Sequence, residues 1–435
     1  MPDPPHGRRP RPHLVLRTPH RALARLRGHR VTVVAFLAVL GPGLLAGLSD
    51  DDPAGITTYS ILGADYGYRL LWVLALSTVA LIVFHELAVR TGIVTGKGLM
   101  RLVRERYGHR RTQFALGALV VANVGTICAE FAGVAAGMGV LTGTSRYITV
   151  PVAAVAVSAL VLKGSFRRVE HVLLALSAIF VTYIVSGFLA HPDWSQAAHG
   201  MVAGGLPLTR DGVLAAVATV GTTLAPWGLA FIQSYAVDKR IGVGELRYER
   251  IDVVSGAVLT GVIGLFIVVA CAATLHESGH HIHDAKDAAV ALEPLAGSAA
   301  TTLFGLGLVG AALLAAAVVP LSTAYSVAEA FDRRADLNDS FRDAPLFYGA
   351  YGASALVAVG LVLIPGAPLV KILFLTQALN AILLLAILPF LRGLARDPEV
   401  MGDQRLGRAD SIATAAVIVL VALSVVLLGV LSVVG

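Results

Sequence analysis

The chain has 435 residues, of which 56% are hydrophobic and only 14% are charged. A soluble domain has about a quarter of its residues charged, so this composition excludes a water-soluble globular protein. The formal net charge of +6 does not indicate nucleic-acid binding, because the basic residues stand in short clusters between apolar stretches.

Apolar stretches recur along nearly the whole chain as solid blocks of Leu, Val, Ala and Gly. Each has roughly 20 residues, which is enough to cross the ~30 Å hydrocarbon core of a bilayer. The alternation of apolar and polar residues that is typical of an outer-membrane barrel is missing. The sequence therefore predicts an all-α integral membrane protein embedded in the lipid bilayer.

The N-terminal segment, residues 1–30, is rich in arginine and proline and is predicted to be a disordered basic cytoplasmic tail. No short apolar core with a small-residue cleavage site precedes the first span, so a cleaved signal peptide is not expected. Cys128 and Cys271 lie within or at the edge of apolar spans. No disulfide is therefore expected.

About 11 transmembrane helices are predicted after the tail. The first five spans are residues 31–63, 68–90, 112–140, 148–163 and 169–190. The others are residues 211–237, 251–275, 299–330, 345–364, 368–391 and 411–433. Basic residues cluster in every second loop, which indicates a multi-pass protein of the cell inner membrane or plasma membrane with a cytoplasmic N-terminus.

Two of these spans are interrupted, the first at residues 49–55 and the sixth at residues 225–228, each around a proline. Proline removes a helix N–H, and a broken helix persists at membrane depth only where it is buried in protein or lines a cavity. Breaks at corresponding positions predict two inverted five-helix repeats, residues 31–190 and 211–391, that meet at a midplane substrate site. The span 411–433 then lies outside the repeats.

Three consecutive aspartates, Asp50, Asp51 and Asp52, stand in the first break. One ionised aspartate near the bilayer centre costs about 3 kcal/mol or more unless it is solvated or paired. The alternative is that the three aspartates lie at a solvated end of the helix, but the flanking residues are largely apolar. A cation site explains the charges better, with carbonyl oxygens freed at Pro53 and with Asp52, directly before the proline, as the principal ligand. Which of the three aspartates contacts the ion stays open.

Several short motifs follow one another between about residues 35 and 392. They are Gly41-Pro42-Gly43, Asp52-Pro53, Tyr66-Gly67-Tyr68, Glu86-Leu87-Ala88, Val94-Thr95-Gly96-Lys97, Ala129-Glu130 with Gly133, Thr376-Gln377 and Leu388-Pro389-Phe390. Together these motifs resemble the Nramp divalent-metal transporters. The resemblance implies a LeuT/APC-type fold with broken helices 1 and 6, in agreement with the two breaks.

The sequence departs from the family pattern at positions that affect which ion is bound. The first-helix motif of the family is Asp-Pro-Gly-Asn, and its asparagine position is Gly55 here. The sixth-helix motif Met-Pro-His-Asn reads Ala225-Pro226-Trp227-Gly228. A methionine thioether favours soft ions, and Ala225 removes that preference. Magnesium takes hard oxygens and retains several waters. The site therefore resembles that of the Nramp-related magnesium transporters.

The family's proton route is also altered. Proton-coupled members place an aspartate three residues before the third-helix glutamate, where this chain has Ile127, and two histidines where it has Trp227 and Ile232. Without groups that titrate near neutral pH, few side chains are available to pass a proton along. The resemblance thus implies transport without proton coupling. Glu130 remains, either as part of the site or as a buried carboxyl satisfied by its neighbours.

Other polar residues carry weaker signals. Gln377 and Asn380 share a helix face and offer amide oxygens to the ion, or else form helix–helix hydrogen bonds. Thr222 and Thr223 either coordinate the ion or donate hydrogen bonds to backbone carbonyls of their own helix. The tract from His276 to Asp284 is either a metal-collecting segment or an ordinary solvated outer loop.

The leading prediction is a monomeric transporter of Mg²⁺, with Mn²⁺ as a second candidate, that works by alternating access without proton coupling. The predicted metal site comprises Asp52, Asp51, Gly55, Ala54, Ala225, Gly228, Gln377 and Glu130. The alternatives are a proton-coupled Mn²⁺ transporter, a LeuT/APC-type transporter of an amino acid or small organic cation, and a sensor with a transporter-like core. No enzyme motif, cofactor or nucleic-acid partner is predicted.

Overall fold

The computed structural model describes residues 46, 47, 49–162, 182–283, 285–334 and 341–434, and these residues contain helices and turns but no β-strand. The helices of the first half are α1 Pro53–Tyr66, α2 Leu71–Thr95, α3 Leu99–Tyr107, α4 His109–Thr142, α5 Arg146–Leu162, α6 Thr182–Leu189 and α7 Trp194–Ala203. The next are α8 Arg210–Thr223, α9 Pro226–Asp238, α10 Leu246–Cys271, α11 Ala285–Ala289, α12 Glu293–Ala296 and α13 Ala300–Ala330. The last are α14 Pro345–Val362, α15 Leu369–Leu384, α16 Leu388–Arg396, α17 Pro398–Met401 and α18 Arg408–Val434.

Short segments of other helix types join some of these elements. They are the 3₁₀ segments Val243–Glu245, Val290–Leu292, Gly297–Ala299 and Gly402–Gln404, and the π-helix Ala272–His276.

Eight helical segments of the described residues are long and apolar enough to cross a membrane. They are Leu71–Thr95, His109–Thr142, Arg210–Asp238, Val243–His276, Asp287–Ala330, Pro345–Val362, Leu369–Arg396 and Arg408–Val433. Each coincides with one of the predicted spans, and the predicted span 148–163 corresponds to the shorter apolar helix Arg146–Val161. Most of the predicted spans 31–63 and 169–190, and the whole tail 1–30, lie outside the described residues. The total of eleven stays a prediction.

The tenth predicted span, 368–391, is not one continuous helix. A turn over residues 385–387 separates α15 from α16, and the N–H of Ile387 bonds to the carbonyl of Leu384 at 2.9 Å. Pro389 is the cause, because it has no N–H for the carbonyl of Leu385 and its ring clashes with that carbonyl. The predicted span 368–391 thus consists of the two helices α15 and α16, joined by this turn.

The centre of the bundle is built by α4 packed along α13 and by α8 packed along α15. Glycine allows the closest approaches, as is common between membrane helices. A Cβ at Gly221 would overlap the backbone of Gln377, and a Cβ at Gly133 would overlap the ring of Pro53. The segment Arg210–Asp238 is the most deeply buried of the eight spans. Both breaks therefore lie in the interior of the bundle.

The outer helices carry exposed apolar side chains, among them Phe114, Val155, Leu356 and Leu423. Lipid tails are as apolar as leucine, so such a surface is stable in a bilayer. The chain is an all-α integral membrane protein, as its composition predicted.

Candidate functional site

Both predicted breaks are present and have the same construction. The backbone leaves the helical conformation at Asp51 and Asp52 before α1, and at Leu224 and Ala225 between α8 and α9. Each second half-helix then begins with a proline, Pro53 in α1 and Pro226 in α9. Proline fits this position because the first N–H groups of a helix have no partner within it. The breaks place free backbone groups and side chains in the middle of the bundle.

The three aspartates of the first break are all buried, with exposed fractions of 2%, 2% and 4% for Asp50, Asp51 and Asp52. Asp52 caps α1, and its Oδ1 accepts a hydrogen bond from the N–H of Gly55 at 2.6 Å. Within the described part of the chain, the carboxylate oxygens of Asp50 and Asp51 have no hydrogen-bond partner. Buried polar atoms are nearly always paired in folded proteins, so these carboxylates indicate a site for a cation.

Gly55 leaves a space between three oxygen atoms. A Cβ at this glycine would lie 3.0 Å from the carbonyl oxygen of Asp50, 3.2 Å from Oγ1 of Thr222 and 3.3 Å from Oδ1 of Asp52. The hydroxyl of Thr222 has no partner among the described residues. A backbone carbonyl, a hydroxyl and a carboxylate thus converge where the family has an asparagine, and all three are hard oxygen donors.

The neighbouring threonine has a different role. Thr223 donates to the carbonyl of Thr219 at 2.8 Å and shares a 2.9 Å hydrogen bond with the hydroxyl of Tyr59. It therefore bonds back to its own helix, which was one of its two predicted roles. Ala54 also has an occupied carbonyl, because the hydroxyl of Thr58 donates to it at 2.7 Å.

Glu130 of α4 completes the acidic group. Its side chain is fully buried, and neither of its carboxyl oxygens has a hydrogen-bond partner among the described residues. It lies close enough to Asp52 for the two carboxyl groups to interact electrostatically. Gly133 lies one turn after Glu130 in α4 and is in close contact with Pro53. This contact holds α4 against α1 and so keeps Glu130 near Asp52. The structure thus brings Glu130 and Asp52 together.

The second break contributes small residues. Ala225 is buried at the start of α9, and its carbonyl accepts a hydrogen bond from the N–H of Gly228 at 3.2 Å. Trp227 is also buried, and its carbonyl accepts a hydrogen bond from Ser322 at 2.8 Å. A Cβ at Gly228 would lie 3.6 Å from Oδ1 of Asp50, so the second break faces the first.

Gln377 and Asn380 of α15 are buried and bonded to each other. The amide nitrogen of Asn380 donates to Oε1 of Gln377 and to Oγ1 of Thr126, both at 3.0 Å. Asn380 therefore links α15 to α4, which is the helix–helix role predicted as an alternative. Gln377 lies beside α8 through its contact with Gly221. Its assignment as a metal ligand stays a prediction.

The structure adds His85 of α2, which the sequence analysis did not select. Its side chain is 1% exposed, and neither ring nitrogen has a hydrogen-bond partner among the described residues. Nε2 lies 3.3 Å from the position of a Cβ at Gly228, next to the carboxylate of Asp50. An ionisable residue inside an apolar span is by itself a signal of function. That signal was available in the sequence, but it did not reveal that α2 faces the breaks.

The donor set as a whole suits a partly hydrated ion. No group of three or more His, Cys, Asp or Glu side chains that could hold a metal is found in the residues that the structure describes. Side chains alone therefore do not complete a coordination shell in this conformation. Backbone carbonyls, the hydroxyl of Thr222 and retained waters would supply the remaining ligands, which is how Mg²⁺ is usually held.

The histidine tract lies apart from this site, after α10. Nδ1 of His276 bonds to the carbonyl of Ala64 at 2.8 Å, and Nδ1 of His281 pairs with Asp65 at 2.7 Å. Asp284 lies outside the described residues. The contacts tie this segment to the end of α1, and its role as a metal-collecting segment stays a prediction.

Solved structures with the same architecture were found by structural comparison. A crystal structure of a manganese transporter from Eremococcus coleocola matches with a TM-score of 0.70 and 19% identity, covering 92% of this chain and 86% of that chain. MHP1, a nucleobase-cation-symport-1 family transporter, matches with a TM-score of 0.58 and 15% identity, covering 90% of each chain. MhsT in complex with L-phenylalanine matches with a TM-score of 0.59 and 15% identity, covering 90% of this chain and 98% of that chain.

These structures confirm the predicted LeuT-type fold. The sequence also matches a family model described as "Natural resistance-associated macrophage protein-like" over residues 43–431. That range includes both breaks and nearly all of the described residues, and the chain therefore belongs to the Nramp family.

Proposed function

We propose that the protein is a transporter of divalent metal cations, with Mg²⁺ as the main substrate and Mn²⁺ as a second one, and that it works by alternating access. The observation that carries the proposal is the set of buried carboxylates beside Asp52, namely Asp50 and Asp51 at the first break and Glu130 of α4, which have no hydrogen-bond partner within the described part of the chain. Uncompensated buried charges of one sign are costly, and a divalent cation neutralises them. Membership of a family of transporters argues in the same direction and against an enzyme.

The choice of magnesium rests on the chemistry of the donors. The groups that converge at Gly55 are oxygens, and Ala225 offers no sulfur at the second break. Hard oxygen ligands and space for retained water favour Mg²⁺ over softer ions. We further propose that the protein is a monomer in the cell inner membrane with a cytoplasmic N-terminus.

An organic substrate is the main competing proposal, because MhsT, which has the same architecture, was solved with L-phenylalanine. The buried aspartates of the first break oppose it, since they would repel the carboxylate of an amino acid. A small organic cation would not be repelled, and failure of an added organic cation to compete with Mg²⁺ in the uptake assay below would exclude it.

The test is uptake into liposomes by the purified full-length protein, with ion-sensitive dyes for Mg²⁺, Mn²⁺ and Ca²⁺. We expect Asp52→Ala to abolish metal uptake while the protein stays folded and inserted, because its carboxylate is held at the break by Gly55. Asp65→Ala is the matched control, since Asp65 is a carboxylate of the same helix that pairs with His281 outside the site. Normal uptake by Asp52→Ala, or no metal uptake by the wild type, would contradict the proposal.

A further inference from the structure

His85 has an environment that metal transport through Asp52 does not explain. It lies in the middle of α2, an apolar helix, and is 1% exposed. A buried imidazole normally bonds through at least one nitrogen, because leaving a buried polar atom unpaired is destabilising. Among the described residues neither Nδ1 nor Nε2 of His85 has such a partner. Within the described part of the chain, the ring is therefore available to bind a ligand.

The space beside this ring is bordered by a carboxylate. The position of a Cβ at Gly228 lies 3.3 Å from Nε2 of His85, 3.7 Å from its Cε1 and 3.6 Å from Oδ1 of Asp50. Gly228 has no side chain to fill that position, so the nitrogen and the oxygen face one small gap. Both oxygens of Asp50 also lack hydrogen-bond partners within the described residues. An imidazole nitrogen and a carboxylate oxygen are a common pair of ligands for divalent transition metals.

We propose that His85 and Asp50 form a second cation station beside Gly228, separate from the oxygens that converge at Gly55, and that this station binds Mn²⁺ or another transition-metal ion in preference to Mg²⁺. The inference rests on the proposed function, since it assumes that divalent ions reach the breaks. Nitrogen ligands bind first-row transition metals more tightly than Mg²⁺, which prefers oxygen and water. The station has two protein side chains, so waters complete the shell of an ion in transit.

The consequence is a division of selectivity between two positions. Ala225 lacks the soft sulfur that the family pattern places at the second break, and His85 offers a nitrogen from another helix instead. The ability of this chain to accept Mn²⁺ would then depend on His85, whereas its ability to accept Mg²⁺ would depend on the oxygens around Asp52.

The direct test is pulsed electron paramagnetic resonance of Mn²⁺ bound to the purified full-length protein. We expect the wild type to show coupling to a directly bound nitrogen, and the coupling to change when histidine is labelled with ¹⁵N. His85→Gln should remove the nitrogen coupling and weaken Mn²⁺ binding by about tenfold or more. Mg²⁺ binding should change little. Ser77→Ala is the matched control, because Ser77 is another buried polar residue of α2, bonded to Val73.

A second variant tests the geometry without touching the ligands. Gly228→Ala would place a methyl group between His85 and Asp50, and we expect it to remove the nitrogen coupling as well. The inference is overturned if the wild type shows no bound nitrogen, or if the coupling persists in His85→Gln. Uptake is measured in parallel: metal uptake without nitrogen coupling contradicts this inference alone, while nitrogen coupling without any uptake contradicts the proposed function alone.

Discussion

The three aspartates of the first break are chemically identical but differ in their hydrogen bonding. Asp52 is held in a hydrogen bond at the start of α1, while the carboxylates of Asp50 and Asp51 have no such bond among the described residues. A capped carboxylate has a fixed position, which suits a ligand that must orient an ion. The carboxylates of Asp50 and Asp51 add negative charge beside Asp52, which favours cations in the breaks.

Gly55 provides a residue-level test of the oxygen site. We expect Gly55→Ala to weaken Mg²⁺ binding by about tenfold, which corresponds to roughly 1.4 kcal/mol. The reason is that the added methyl group would fill the space between the carbonyl of Asp50, Thr222 and Asp52. Calorimetric titration of the purified protein measures the change. Gly117→Ala, with no atom within 4 Å of the new methyl group, is the control. Equal Mg²⁺ affinities in the two variants would contradict the assignment.

Ala225 provides the test of metal preference. We expect Ala225→Met to improve binding of Mn²⁺ or Cd²⁺ relative to Mg²⁺, because the thioether is a soft ligand. The measurement is a titration of each ion against the wild type and the variant. An unchanged preference would mean that the side chain at position 225 does not face the ion.

Much of the site could be predicted at this scale, because aspartates and a proline inside an apolar span leave few interpretations. The residues that the sequence did not reveal are those whose partners come from distant helices. His85 was missed because it borders Gly228 of another helix, and the partner of Asn380, Thr126, likewise does not follow from spacing along the chain. Their roles depend on which faces of the helices meet.

At the scale of elements, the contact between α1 and α4 determines how Glu130 approaches Asp52. Gly133 permits this contact, because any side chain there would overlap the ring of Pro53. The cluster of Ala54, Ala129, Ala132 and Leu373 packs small side chains at the same junction. Small residues therefore position the acidic group, although they carry no charge themselves.

We expect Gly133→Ala to destabilise the protein by roughly 1–3 kcal/mol, the usual cost of overpacking. Gly139→Ala on the same helix should change stability by less than about 1 kcal/mol, since alanine favours helix and nothing lies within 4 Å of its methyl group. Thermal unfolding in detergent, with and without Mg²⁺, measures both variants. Equal unfolding temperatures would show that α1 and α4 do not need this close contact.

The breaks were predictable as elements because proline and charge are both visible in the sequence. The turn at residues 385–387 was not recognised, although Pro389 follows it, because the surrounding residues are uniformly apolar. Hydropathy identifies the stretch that crosses the bilayer, but it does not register a helix that changes direction within the stretch.

For the whole molecule, we expect metal uptake without stoichiometric proton uptake. Ile127, Trp227 and Ile232 are buried apolar residues at the three positions where proton-coupled relatives carry titratable side chains. The membrane potential alone is sufficient as a driving force, since it is worth about 4.6 kcal/mol for a divalent ion at roughly 100 mV. At about 1.4 kcal/mol per decade, that energy supports more than a thousandfold accumulation.

The measurement uses a pH-sensitive dye trapped in liposomes during uptake driven by a potassium diffusion potential. The internal pH should stay constant while the metal enters. Acidification in proportion to the metal would refute the prediction and support proton-coupled Mn²⁺ transport. Protein-free liposomes under the same potential give the background leak of protons.

The position of α18 has a consequence for the biosynthesis of the protein. This helix packs on the outer faces of α8 and α15, where Val425, Leu428 and Leu431 cover a small apolar cluster. Membrane helices are inserted first and associate afterwards. α18 leaves the ribosome after every other helix described above, so the breaks and their carboxylates can meet during translation. The position of α18 on the outside of the bundle therefore allows the acidic centre to assemble before this helix joins.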